Sequence, residues 1–355
     1  MGGIHMWASK VVVGLAAGLL ALGGASASAG GKHDEPKSSV TGLKVLIVND
    51  DSIQGKSANG SDGKGLYELR KAMCAAGADV IVVGPWTVQS GMGGRITLSG
   101  NFVVQPVTPP AAYTNDCSNA PSGGNVFGLC TVPSSSTATT CDTTSASGSP
   151  SDAVNIALSR FIPDNYWPQG PDIVLSGINY GQNEAVGVFH SGTTSAAVTA
   201  NQLHAPSIAF SAKLGDTQEQ LYACALSTDL TQCPAFEATA KFAVDLVGKL
   251  RAARMIDSNL LLNVNYPFLS AGEQVGKPVI NVLGYGSTLG GTFGGSVTTA
   301  GGAYTFAFNM GVPETRRNAD TTALMNNDIS IVPLSGDWTD SHVDIRLRAV
   351  VSSLR

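Results

Sequence analysis

The stretch from Leu43 to Val83 constrains the fold more than any other part of this chain. Leu43 to Val48 is an apolar run of strand length, broken only by Lys44 near its start, that ends abruptly in Asn49-Asp50-Asp51. A Gly/Ser segment from Gly55 to Gly65 follows, then apolar residues at helical spacing to about Ala76, a stop at Gly77 and a second strand from Ala78 to Val83, apolar but for Asp79. A strand that is apolar throughout is buried on both faces. Strand, helix, strand is the crossover unit of a parallel sheet, and in such sheets ligands gather beyond the C-terminal ends of the strands. The two aspartates stand at such an end.

The alternation continues. The pattern predicts a hairpin from Arg95–Leu98 and Phe102–Val107 turning at Ser99-Gly100-Asn101, a helix over Ser151–Phe161 capped by Ser151, and a strand over Asp172–Ser176. A helix over Ser191–Gln202, a strand over Ala205–Ser211, a helix over Pro234–Met255 and a strand over Leu260–Asn265 follow. Repeated β and α units of this kind argue for a doubly wound α/β sheet over most of residues 43–276. Residues 112–146 are rich in Ser, Thr and Gly without apolar periodicity and read as a surface insertion. Beyond Lys277 the pattern changes to short strands and Gly-rich turns, a β-rich extension over 277–355 whose uncovered edges predict a homodimer or larger assembly.

Composition supports a large core, with 43% apolar residues against 13% charged ones. The apolar run Val11–Leu22 behind Lys10, followed by small residues to Ala29, has the layout of a secretory signal peptide. That run is shorter than the ~20 residues of a spanning helix. Cleavage after Ala27 or Ala29 leaves a leader over 30–42 and places the mature chain in a periplasmic or extracellular compartment. Loss of Lys10 moves the formal net charge from −5 to −6. Charge of that sign gives no pull toward a nucleic-acid polymer or an anionic membrane surface. Export permits disulfides; the expectation is Cys224–Cys233 and one bridge within 117–141, with Cys74 a buried free thiol.

Adjacent carboxylates at a strand end repel unless a cation sits between them. Three other segments fall at strand ends or a helix start and can gather on the same edge: Pro85 to Ser90-Gly91, Ser176 to Asn179 and Asn183, and His190-Ser191-Gly192-Thr193. Two carboxylates, a hydroxyl and an amide oxygen suit a hard divalent cation, and backbone N–H groups at a helix start suit an anion. Together they fit hydrolysis of a phosphate ester. His190 reads either as an acid for the leaving group or as a residue packing at the helix start, and Asp320 as a site acid or a turn acid.

In Val45-Leu46-Ile47-Val48-Asn49-Asp50-Asp51, Pro85 to Gly91, Gly148 to Val154, Pro171 to Asn179, Ser191-Gly192-Thr193, Leu262 to Pro267, and Asp320 with Ile329 to Leu334, the chain resembles the SurE family of survival proteins. The resemblance implies a Rossmann-like core with a C-terminal swapped hairpin that makes dimers. It implies a metal-dependent phosphatase of nucleoside monophosphates that binds one divalent cation per subunit, Mg²⁺ or Mn²⁺. By position it implies Asp50, Asp51, Ser90 and Asn179 as metal ligands, Asn49 as the residue orienting the carboxylates, and Gly91, Ser191, Gly192 and Thr193 on the phosphate side. The family usually has Gly after the two aspartates, where this chain has Ser52. The rival readings are a broad secreted acid phosphatase and a binding protein without turnover.

Overall fold

A computed structural model describes residues 39–54, 63–215, 217, 220, 233–270, 272–286, 290–295, 301–309, 313–337 and 345–354. The expected signal peptide, residues 30–38 of the leader, the Gly/Ser loop 55–62 and Cys224 lie outside these residues.

The strands are β1 (Lys44–Val48), β2 (Asp79–Pro85), β3 (Asn101–Val107), β4 (Val126–Val132), β5 (Ala146–Ser147), β6 (Ile173–Tyr180), β7 (Ser207–Ala212), β8 (Leu261–Tyr266), β9 (Pro278–Ile280), β10 (Gly290–Gly294), β11 (Thr305–Asn309) and β12 (Ile329–Pro333). Among the described residues the main sheet runs β3-β4-β2-β1-β6-β7-β8-β12-β9, with β5 paired to β4. The neighbours from β4 through β8 are parallel, whereas β3 runs antiparallel to β4 and β12 runs antiparallel to β8 but parallel to β9. Strand order reverses at β1: the chain first builds outward through β2, then crosses to β6 on the other side. That reversal opens a crevice between the C-terminal ends of β1 and β6.

Successive side chains of a strand point to opposite faces, and β1 shows the consequence. Val45 and Ile47 join the core beneath the helices Lys64–Ala75 and Pro234–Ala252, while Leu46 and Val48 join the core beneath Pro150–Ile156 and Gly192–Gln202. All four are fully buried. At roughly 1.5–3 kcal/mol for each buried aliphatic side chain, this one strand contributes heavily to the fold. Gly65 lets the first helix sit against β6, because a Cβ there would run into the Ile178 carbonyl.

Several expectations need correction. Residues 126–132, within the stretch read as a surface insertion, form β4, which pairs with β2 and buries Val126, Phe127, Leu129 and Cys130. Arg95–Leu98 is no strand; Thr97 is tied by its N–H to Asp152 Oδ1 at 2.9 Å, and β3 pairs with β4 instead. The helix at 150 is capped by Ser149, not Ser151: Ser149 Oγ accepts from Asp152 N while Asp152 Oδ2 accepts from Ser149 N. Cys74 is not free but bonded to Cys117, and the bridge expected within 117–141 is Cys130–Cys141. Cys233 is disulfide-bonded as well. In the C-terminal region β9 and β12 extend the main sheet, β10 and β11 form a separate two-stranded sheet, and the end of the extension read as β-rich is a helix over Ile345–Ser353.

Candidate functional site

At the end of β1 the chain turns sharply, with Asn49, Asp50 and Asp51 all buried. Asn49 Nδ2 donates to the Ser52 carbonyl at 3.0 Å, closing a turn in which Ser52 sits at φ 89°. That is the left-handed region that glycine occupies without cost. Ile53 N donates to Pro85 O at 3.2 Å and Gln89 N to Asp50 O at 2.7 Å, so the end of β2 and the loop after it are laced to the acidic turn.

Asp51 Oδ2 accepts from Tyr180 N at 2.7 Å. Asp50 accepts at Oδ2 from Thr193 N at 3.1 Å and at Oδ1 from the Thr193 hydroxyl. The same hydroxyl lies 3.1 Å from Asn179 Oδ1. One hydroxyl proton cannot serve both acceptors, so two oxygens of cation-ligating type converge there with a single donor between them. Burial pushes the Asp50 carboxyl above its ordinary range, opposed by its hydrogen bonds from Thr193.

Asn179 reaches this point because β6 changes register against β7 between Ser176 and Asn179. Bulges of this kind re-aim a side chain. Asn179 Nδ2 donates to Gly181 O at 2.8 Å, which leaves Oδ1 facing Thr193. The helix Gly192–Gln202 starts against Asp50, with Ser191 Oγ accepting from Thr194 N at 3.0 Å as its cap. Gly192 is required there: a Cβ would stand 2.8 Å from Asp50 Cβ and 2.9 Å from its Oδ2. The helix start does bind an anion, and that anion is the Asp50 carboxylate itself.

Asn49, Asp50, Asp51, Asn179, Ser191, Gly192 and Thr193 therefore come together. Ser90 and Gly91 are exposed on the loop whose base is fastened by Gln89, and Ser90 Oγ makes no hydrogen bond to either carboxylate. His190 is exposed beside the cap and its carbonyl accepts from Gly93 N at 3.2 Å. Asn183 and Asp320 stand apart as pins. Asn183 N donates to Asn265 Oδ1 and its Nδ2 to Ser211 Oγ, while its carbonyl accepts from Asn263 and Asn265. Asp320 accepts from Ala185 N, Gly284 N and Thr321 N, and burial raises its pKa. Asn263 and Asn265 carry no role in the reading of the sequence; their alternation in Leu262–Pro267, polar within a buried strand, is the signal that marks them.

Among the described residues no three His, Cys, Asp or Glu side chains gather into a metal-binding group. A cation here would rest on two carboxylates and neutral oxygens, a donor set that suits a hard ion. The buried carboxylate and the amide oxygen crowded on one hydroxyl fit that occupant.

The fold and this edge define a Rossmann-like α/β protein that sets paired buried carboxylates against a helix start at the strand-order reversal. The family model described as survival protein SurE matches residues 45–285. This chain belongs to the SurE family. It is 30% identical over 84% of its length to a protein of Jannaschia sp. named 5'-nucleotidase SurE, covering 95% of that protein. A protein of the same name from Christiangramia forsetii is 29% identical, covering 84% of this chain and 93% of the relative. The crystal structure of the SurE protein from Aquifex aeolicus shares the fold, with a TM-score of 0.59 at 23% identity over 86% of this chain and 99% of that one.

Proposed function

We propose that the protein is a phosphoric monoester hydrolase acting on nucleoside monophosphates, with one divalent cation per subunit, Mg²⁺ or Mn²⁺. The observation that carries this reading is the convergence of Asp50 and Asn179 on Thr193 beside buried Asp51. Family membership and the relatives named 5'-nucleotidase support it.

In this reading Asp50, Asp51 and Asn179 hold the cation, with Ser90 completing the set from its exposed loop. When bound, the cation supplies positive charge to the phosphoryl oxygens and lowers the pKa of a water. Asn49 keeps the acidic turn closed. Thr193 holds Asp50 in one rotamer, so the carboxylate needs no rearrangement when substrate arrives. Because the Thr193 N–H is committed to Asp50, phosphate contacts pass to the exposed rim formed by Gly91 and His190, beside the buried Ser191 cap.

The reading extends to assembly and compartment. The helix Ile345–Ser353 buries none of its side chains and leaves Ile345, Leu347, Val350 and Val351 exposed, which supports a homodimer or larger assembly through the C-terminal region. Light scattering at micromolar concentration should give at least twice the mass of one chain, and a fully active monomer overturns this. Export through residues 1–29 is proposed on the sequence layout, and loss of those residues from the secreted protein, read by N-terminal sequencing, tests it.

The deciding assay is phosphate release from a nucleotide panel and from an aryl phosphate, with and without chelator, for the wild type and Asp50→Asn. Hydrolysis of nucleoside monophosphates that disappears with chelator and in the variant supports the reading. Preference for the aryl phosphate would identify a broad phosphatase, and nucleotide binding without turnover would identify a binding protein.

A further inference from the structure

We propose that Tyr67 is a positioning residue for the acidic turn, held in place by a disulfide-tethered strap that packs over its ring. The inference rests on the metal-binding reading of Asp50 and Asp51. Tyr67 is fully buried on the helix Lys64–Ala75, and its hydroxyl donates to the Ile53 carbonyl, two residues beyond Asp51. Between them lies Ser52 in its left-handed conformation. The hydroxyl is thus a fastening between the turn and the helix, complementing those that Ile53 N and Gln54 Nε2 make to the end of β2, at Pro85 O and Trp86 O.

The Tyr67 ring is held in turn. Tyr113 stacks on it with centroids 5.2 Å apart and planes 23° apart, and the Tyr113 hydroxyl donates to Glu68 Oε1 at 3.1 Å. Tyr113 belongs to a strap of chain between β3 and β4. Arg70, one turn along the same helix, donates to three carbonyls of that strap: Gly124 at 2.7 Å, Tyr113 at 3.2 Å and Asp116 at 3.1 Å. The Cys74–Cys117 bond ties the helix end to it covalently. The Tyr67 hydroxyl bonds the backbone at Ile53, so its influence on the carboxylates passes through the backbone of residues 52 and 53. Groups that orient ligands from outside the coordination sphere commonly set metal affinity.

The test is a Mn²⁺ titration by calorimetry on the full chain, paired with thermal melts. Tyr67→Phe keeps the ring and removes only the hydroxyl; it should weaken Mn²⁺ binding about tenfold, with kcat at saturating Mn²⁺ within about twofold of wild type. The pair Cys74→Ser and Cys117→Ser should weaken binding in the same direction, and combining it with Tyr67→Phe should add less than the separate losses. The pair Cys130→Ser and Cys141→Ser, in the disulfide that does not tie the strap to the helix, should leave Mn²⁺ affinity unchanged. A merely structural tyrosine would lower the melting temperature without moving the affinity of the folded protein. Wild-type affinity in folded Tyr67→Phe overturns the inference alone. If wild type itself shows no Mn²⁺ binding, the metal reading falls and this falls with it. Should Tyr67→Phe not fold, the Cys74/Cys117 pair decides by the same measurement.

Discussion

Gly192→Ala offers the most informative single perturbation of the site. The added Cβ would stand 2.8 Å from Asp50 Cβ, 2.9 Å from Asp50 Oδ2 and 3.0 Å from Pro150 Cγ. Nonbonded carbons settle at about 3.5–4.0 Å, so relief demands a shift of roughly 1 Å. Both sides of the contact are buried and pinned, Asp50 by Thr193 and by Gln89, the helix by its Ser191 cap. Overpacking of this kind costs about 1–3 kcal/mol. The gain from replacing glycine at a helix start offsets at most about 1 kcal/mol of that. The net loss, at most about 3 kcal/mol, lowers the melting temperature by no more than roughly 12 °C, which leaves the protein folded at 25 °C. A displacement of about 1 Å at a reacting centre, in contrast, can cost about 100-fold in rate. Activity should therefore fall far more than the folded fraction does. The assay is kcat/KM on a nucleoside monophosphate at saturating Mn²⁺, with melts on the same samples. Gly94→Ala is the control, since its Cβ would meet nothing closer than Ser195 Cβ at 4.0 Å. If Gly192→Ala retains kcat/KM within about threefold of wild type, the account of a rigid Asp50 seat is wrong.

Ser52→Gly should stabilise the protein by up to about 1 kcal/mol, because it relieves a left-handed non-glycine residue at φ 89°; a net loss of stability in a denaturant melt would refute the strain. Asp320 has a raised carboxyl pKa, so its titration favours the fold below the ordinary carboxylate range, and that contribution is lost as pH rises through the raised value. Asp320→Asn should flatten that part of the stability profile while costing about 1–3 kcal/mol for a backbone N–H left unpaired, and an unchanged profile between pH 4 and 7 would refute the assignment.

The parallel core could be read from sequence where one residue type dominates. Val45 to Val48 and Val80 to Val83 are apolar without interruption, and burial on both faces is the only arrangement that hides them. β4 escaped because Val126, Phe127, Leu129 and Val132 are few among Ser, Thr and Gly; its burial is decided by β2 alongside it, not by its own neighbours in sequence. Thr193 was marked by its place at a helix start, yet its partner was not: a phosphate was expected where the structure puts Asp50. The pairing of Cys74 with Cys117 was hidden for the same reason, since helical spacing explains a buried Cys74 completely until the strap is brought over it. Asn183 looked like a site residue because it follows Asn179 closely, but the chain turns at Gly181, which has φ 102°, and sends it toward Asn263 and Asn265 instead.

The reversal of strand order at β1 also sets the sequence of events by which the protein can acquire its site. β1 pairs with β2 nearby in the chain, but its other neighbour, β6, joins only when Val45 meets Ile173. The bond that seats Asp50 spans 143 positions. Contacts so distant along the chain must bear the entropy of closing a long loop before they return any stability, and they slow folding accordingly. A nascent chain ending before residue 193 thus holds both aspartates but not the Thr193 that seats the carboxylate of the first of them. Until the second half arrives, the carboxylates face water at an unfinished sheet edge, and the competent centre emerges late, as one of the closing steps of folding rather than as the nucleus from which the fold grows.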